Sequence, residues 1–497
     1  MPKSFSFSMP RLFSPDAISK LVAASLAFFC LSAAAQSPLP TAVELALKKA
    51  GIPSTALSIV VMPASGGPAT MAQFADTPVS PASTIKLVTT LVALEELGPT
   101  FRWKTQILSE TPIKQSGLPG DLNGGLFGDI YLRGGGDPNF TWDKLAFMLR
   151  SLRSQGVRNI VGDIVLDRHY FQPSRMDTDA VQFDEKPDTY YNVIPDALLV
   201  NGNLSTFDIE SSADTIKLQS SPPMAQVVIK NQLRLDNKPC ASWDNTWMPP
   251  TVETDSNYTT SITFSGSFPR NCKATKYTNL LDRNRYIEHL IRQLWQELDG
   301  TWIGHAKEGI TPATANVLVE RQSETLADTI KIVNKQSDNL MARLLYLTLG
   351  VEFSDAKNYA TSAQAADAHI RRWFVRQGIG TEDLILDNGS GLSRAEKISP
   401  KQLADLLQVA ARSNWFPEFA SSFPIVAVDG TMRKRLRDSA LDGRARIKTG
   451  SLKDAVAIAG YVKDRQDKLW IIVAIINDKK ADRARPVLDE LILSIAL

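Results

Sequence analysis

Ser83-Thr84-Ile85-Lys86 sets a hydroxyl and an amine three residues apart, on one face of a helix. A serine hydroxyl is a poor nucleophile until a base removes its proton. Lysine is such a base only when its pKa falls from about 10.4, which burial and a neighbouring cation both promote. By itself S-x-x-K is weak, since ordinary Ser and Lys usage gives about one or two by chance at this length. A second copy indeed stands at Ser354-Asp355-Ala356-Lys357. Context separates the two. Pro81 suits a first helical turn, Ser80 before it suits a cap, and Gly98-Pro99 stops the run. Ile85, Leu87, Val88, Leu91, Val92, Leu94 and Leu97 cover more than one face, which predicts an interior helix across 81–99.

Two further polar groupings carry chemistry. Ser337-Asp338-Asn339 interrupts an apolar helical pattern in NKQSDNLMARLL. Lys448-Thr449-Gly450-Ser451 lies in RIKTGSL, where alternation in an extended strand turns Lys448 and Gly450 the same way. The lysine then supplies charge, and the glycine leaves room for a substrate backbone. Each has a plainer reading, a helix-start cap for the first and an edge turn for the second.

The elements that must position these groups come from both ends of the chain. Residues 40 to 110 read as mixed helix and strand. From Phe101 to Asn271 short alternating runs (WKTQILSE, NIVGDIVLD, TSITFSGSF) read as mostly β, broken by an amphipathic helix ending at Gly156. Helices return after Tyr277, and AVAIAGYVKD and KLWIIVAIIND read as consecutive strands before a core-packed final helix. This order predicts one discontinuous domain, 36–100 plus 278–497, with an inserted β-rich domain at 101–277. A chain of 497 residues, 43% hydrophobic and 22% charged, has the composition of a multidomain globular protein. A net charge of +2 with no long basic run gives no sign of nucleic-acid binding. Four histidines, without H-E-x-x-H or a G-x-S-x-G elbow, speak against a zinc peptidase or a Ser-His-Asp hydrolase. No cofactor is expected.

Lys3, Arg11 and Lys20 precede the apolar run LVAASLAFFCLSAAA, which predicts a cleaved secretory signal at 1–35 and a periplasmic mature protein. The run is shorter than the roughly 20 residues of a membrane span, so no transmembrane anchor is expected. Met1 and Met9 both stand as starts. Removing the signal takes Cys30 and leaves Cys240 and Cys272, which in an oxidising compartment predicts a disulfide.

Taken in this order, S-x-x-K, S-D-N and K-T-G resemble the penicillin-recognising serine enzymes. The long gap from Lys86 to Ser337 is similar to that of the class C low-molecular-mass penicillin-binding proteins, the D-alanyl-D-alanine carboxypeptidase/endopeptidase family of the penicillin-binding protein 4 type. YLRGGGDP, DNGSGLSR (387 to 394) and VDGTMRKR (428 to 435) agree, with Asn388 a small departure. The resemblance implies an α/β transpeptidase fold: a five-stranded antiparallel sheet with helices on both faces, an inserted domain and a nested third domain near 195–265. It implies Ser83 as acylated nucleophile, Lys86 as its base and Ser337 as proton relay. Asn339 would hold the substrate backbone, Lys448 its carboxylate, and Thr449, Gly450 and Ser451 its edge. The backbone N–H groups of Ser83 and Ser451 would form the oxyanion hole. Asp137 and Arg394 would read a zwitterionic diaminopimelate-type side chain. Substrates would be peptidoglycan stem peptides and cross-links, with β-lactams as inhibitors. A sensor or scaffold on the same fold and a β-lactamase are the competing readings. Peripheral membrane association, a homodimer and the balance of exo- to endo-cleavage stay open.

Overall fold

The two apolar runs near the C-terminus form adjacent antiparallel strands, Ala455–Lys463 and Leu469–Asn477. Both are apolar along their whole length because both faces are covered. Ile471, Val473 and Ile475 enter one core, while Ile472, Ala474 and Ile476 enter the other. The first core holds the helix Lys86–Leu97; the second is shared with the helices Thr41–Ala50 and Arg485–Ala496. In this computed structural model the described residues are 39–114, 124–178, 183–185, 188–245, 247–353 and 355–496. The expected signal segment and Ser354 lie outside them.

The sheet has five strands in the order Ala445–Leu452, Ala455–Lys463, Leu469–Asn477, Leu57–Pro63, Met71–Gln73, each pair antiparallel. It is built from both chain ends, with helices on both faces, as expected. Ala445–Leu452, which carries Lys448-Thr449-Gly450, is an edge strand.

The insertion starts and ends at a backbone clasp. Ser323 N–H donates to Trp103 O at 2.9 Å and Leu326 N–H to Phe101 O at 2.9 Å. A second five-stranded sheet runs Ala306–Glu308, Ile164–Asp167, Ile130–Arg133, Lys104–Ser109, Asn316–Gln322. The helix Arg283–Glu297 shares a core with Trp142–Ser154. The segment 283–322 therefore pairs and packs with the insertion, and we place its end near Ser323 instead of Tyr277. Within it, strands between Ser205 and Thr278 form two smaller sheets joined by the Phe207 and Phe264 rings, 4.7 Å apart. These strands start and end later than the 195–265 expected for a nested third domain. The Cys240–Cys272 disulfide is formed there. Among the described residues no helix is long and apolar enough to cross a membrane.

Candidate active site

The expected single helix across 81–99 is instead a 3-10 turn, Ala82–Ile85, followed by the α-helix Lys86–Leu97. Ala82 has φ +46°, a strained value for a residue with a Cβ, and it breaks the helix start. Ser80 is not a cap. Its N–H donates to Asn477 Oδ1 at 2.8 Å, and Asn477 Nδ2 returns a bond to Ser80 O at 3.1 Å.

This turn buries Lys86 completely. Its Nζ lies 3.0 Å from Ser83 Oγ, donates to Asn339 Oδ1 at 2.7 Å, and also donates to the Ser390 carbonyl. Two of these three partners are carbonyl-type oxygens that only accept. When the amine is neutral, its two N–H bonds go to those oxygens and its lone pair is left facing the Ser83 hydroxyl. Burial pulls the Lys86 pKa down to about 7, against the opposing carboxylates of Asp338 and Glu396. Lys357 of the second S-x-x-K, by contrast, is exposed on a short turn.

Ser337-Asp338-Asn339 is the break between two helices, Leu326–Gln336 and Asn339–Leu349. Ser337 closes the first with φ +60° and ψ 40°, and Asp338 caps the second by accepting from Met341 N–H at 2.8 Å. The helix-start cap expected for this grouping is therefore Asp338. The sharp turn sends Ser337 towards Lys448 and Asn339 towards Lys86. Asn339 spends its oxygen on Lys86, and its Nδ2 donates to Tyr191 O at 3.5 Å.

Lys448 is also completely buried, with Nζ donating to Ser337 Oγ at 2.7 Å and Thr449 O at 2.8 Å. Burial, and then the charge of Lys86, hold its pKa well below the usual lysine value. Ile447 N–H donates outward to Pro424 O at 2.9 Å. By the two-residue period of a strand, the N–H groups of Thr449 and Ser451 point to the same open edge. Gly450 is needed for closeness: a Cβ there would lie 2.8 Å from Pro81 O and 2.9 Å from Ser83 N. Thr449 Oγ1 bonds Thr431 Oγ1 at 2.8 Å, which ties VDGTMRKR to the same edge.

A groove of about 900 Å³ opens between this edge and the insertion, lined by Tyr190, Tyr191, Asn339, Arg394, Ser451 and Asn477 among others. Arg394 lies in it, over the Phe183 ring at 5.4 Å. Asp137 does not. It is buried, paired to Arg321 Nη1 at 2.7 Å, and accepts Asn139 N–H at 2.9 Å. Its charge is answered inside the insertion by Arg321, and it does not line this groove beside Arg394.

Sequence reasoning passed over Ser390 and Glu396. Ser390 acts through a carbonyl, which every residue has. Glu396 acts on backbone N–H groups, and its only sequence signal is its place just beyond DNGSGLSR.

The family described as D-Ala-D-Ala carboxypeptidase 3 (S13) matches residues 39–492. A D-alanyl-D-alanine carboxypeptidase from Actinomadura sp. (strain R39) is 25% identical over 90% of this chain and 83% of its own length. The D-alanyl-D-alanine carboxypeptidase DacB of Haemophilus influenzae is 26% identical over 80% of each chain. The crystal structure of penicillin binding protein 4 (dacB) from H. influenzae superposes with a TM-score of 0.72 at 22% identity, over 91% of this chain and all of that one. The same H. influenzae protein has also been solved in complex with a β-lactam. These structures are alike in fold.

Proposed function

The chain belongs to the D-Ala-D-Ala carboxypeptidase 3 (S13) family, and from that premise we propose that this serine-type carboxypeptidase works through an acyl-enzyme on Ser83. The neutral Lys86 amine takes the Ser83 proton as Oγ attacks the carbonyl of the penultimate D-alanine. Charge developing on that carbonyl oxygen is met by the N–H groups of Ser83 and Ser451, an arrangement typically worth about 10² to 10³ in rate per donor. The Ser337 hydroxyl, held by Lys448, relays that proton from Lys86 to the leaving nitrogen, so that the amine is neutral again before water attacks. D-Alanine departs, and water then hydrolyses the ester on Ser83. Asn339 and the open edge of Ala445–Leu452 hold the extended peptide, and Arg394 faces its side chains. When the leaving amine belongs to a cross-linked diaminopimelate, the same steps are an endopeptidase reaction. A β-lactam enters as a mimic of the peptide and acylates Ser83. The Cys240–Cys272 disulfide supports an oxidising compartment, consistent with a periplasmic enzyme exported by the 1–35 segment.

The carrying observation is the Lys86 amine, 3.0 Å from Ser83 Oγ with acceptor-only oxygens on its other sides. A fluorescent penicillin is expected to label the mature protein and to fail on Ser83→Ala, with D-alanine release from a pentapeptide lost in parallel. Labelling that survives Ser83→Ala would refute the assignment. Efficient penicillin turnover without D-alanine release would favour a β-lactamase, and penicillin labelling with neither reaction a sensor.

A further inference from the structure

Glu396 is 1% exposed and lies inside a loop closed by paired bonds between Ile385 and Lys397, 2.9 and 3.0 Å long. Its Oε1 accepts N–H from Gly389 at 2.8 Å, Asn388 at 3.1 Å and Asp387 at 3.4 Å. Its Oε2 accepts N–H from Gly391 at 2.9 Å. Four backbone donors thus converge on one carboxylate, an arrangement that fixes the loop's shape; burial, the largest effect, pushes the Glu396 carboxyl above the usual carboxylate range, and these bonds oppose it in favour of the charged form. Two residues of that loop touch the acylation machinery. The Ser390 carbonyl accepts from Lys86 Nζ. Gly391, at φ +82°, lies against the strained Ala82–Ser83 peptide; a Cβ on it would be 2.1 Å from Ala82 O and 2.7 Å from Ser83 N.

We propose that Glu396 is a positioning residue for acylation: its carboxylate locks the 387–391 loop, whose Ser390 carbonyl aims Lys86 and whose Gly391 seats the Ser83 backbone. Without that lock the Ser390 oxygen moves, Lys86 loses one of its two acceptor-only partners, and its lone pair is no longer confined to Ser83. The N–H of Ser83 loses its fixed direction at the same time. The inference rests on the reading of Ser83 and Lys86 given above. The charged groups facing the pair are Asp387 on the loop, Asp338 and Arg343 from the Ser337 break and the following helix, and Lys448 from the sheet edge.

Glu396→Gln keeps the shape but turns an NH₂ towards N–H donors and removes a negative charge near Lys86. Glu396→Asp keeps the charge but shortens the reach. Acylation of the mature chain by a fluorescent penicillin is followed against pH, with thermal unfolding as the check on folding. For Glu396→Gln the plateau rate is expected to fall about 10- to 100-fold, and the acid limb to move to lower pH, because the lost carboxylate had held the Lys86 pKa up. For Glu396→Asp the limb stays in place and the plateau recovers part of the loss. A folded Glu396→Gln with the parental plateau and limb overturns the inference. If that variant does not fold, Glu396→Asp decides: a plateau at least about fivefold below the parent supports the inference, and a parental plateau overturns it. Loss of labelling in Ser83→Ala alongside parental Glu396 variants defeats this inference alone. Labelling retained in Ser83→Ala defeats the underlying reading instead.

Discussion

A buried amine bounded by Asn339 Oδ1, the Ser390 carbonyl and Ser83 Oγ is useful only in its neutral form. Burial is the main cause of the Lys86 shift to about 7. Lys86 and Lys448 disfavour each other's charge, which together with the larger effect of burial holds Lys448 well below the usual lysine value. Because the neutral amine is the base, acylation rises with pH through about 7 and falls below it. At pH 5 the second-order rate of penicillin acylation is expected to be about 100-fold under its plateau. A flat profile between pH 5 and 8 would contradict Lys86 as the base. Asp338 and Glu396 act on this limb in the same sense, since both carboxylates raise the Lys86 pKa. The Ser-x-x-Lys spacing was legible because two side chains on one helical turn are neighbours whatever surrounds them. Glu396 was not, because its partners are backbone N–H groups and leave no pattern of side chains.

At the scale of elements, the site depends on three backbone breaks meeting: the 3-10 turn at Ala82–Ile85, the left-handed Ser337, and the edge strand at Gly450. The closest approach is between the strand and the turn, where nothing larger than hydrogen fits on Gly450 without displacing Pro81 or Ser83. Gly450→Ala is therefore expected to cost about 1 to 3 kcal/mol of stability. Its effect on acylation should be larger than that, because the shift falls on the oxyanion pair. A variant that acylates at the parental rate would show that the strand yields freely. The strands and helices themselves were legible from periodicity: continuous apolar runs for buried strands, and one broken helical pattern around Ser337-Asp338. The helix at Ser83 was read one turn too long. Propensity sees Pro81 and a following apolar run, but not the left-handed Ala82, against which Gly391 and Gly450 pack from elsewhere in the chain.

Over the whole molecule, the insertion forms one wall of the groove through Tyr190 and Tyr191 and braces the Asn339–Leu349 helix, with Phe171 and Ala197 packed on Leu344 and Leu347. Its own integrity rests partly on the Asp137–Arg321 pair. Asp137→Ala leaves the partly buried Arg321 guanidinium with Glu324, 3.2 Å away, as its remaining carboxylate partner, and is expected to cost about 1 to 3 kcal/mol while leaving discrimination among stem-peptide side chains unchanged. Changed discrimination in a folded Asp137→Ala would restore it as a specificity residue. Replacing Cys240 and Cys272 by serine opens a loop 32 residues apart in sequence, worth about 3 to 4 kcal/mol on the chain-entropy account. Because the nested unit carries none of the three motifs, penicillin labelling at low temperature should survive that loss. Labelling lost with the disulfide would tie the nested unit to the site.

The sequence alone determined the three motifs, their order, the family they resemble, the two-ended catalytic sheet and the cysteine pair, because these depend on residue type and local period. Only the folded chain decided what each polar group faces. Ser80 is held by Asn477, 397 residues away, and Asp137 is neutralised by Arg321, 184 residues away. Hydrogen bonds and charge pairs act over a few ångströms of space without regard to separation along the chain, so no local reading of the sequence could assign them.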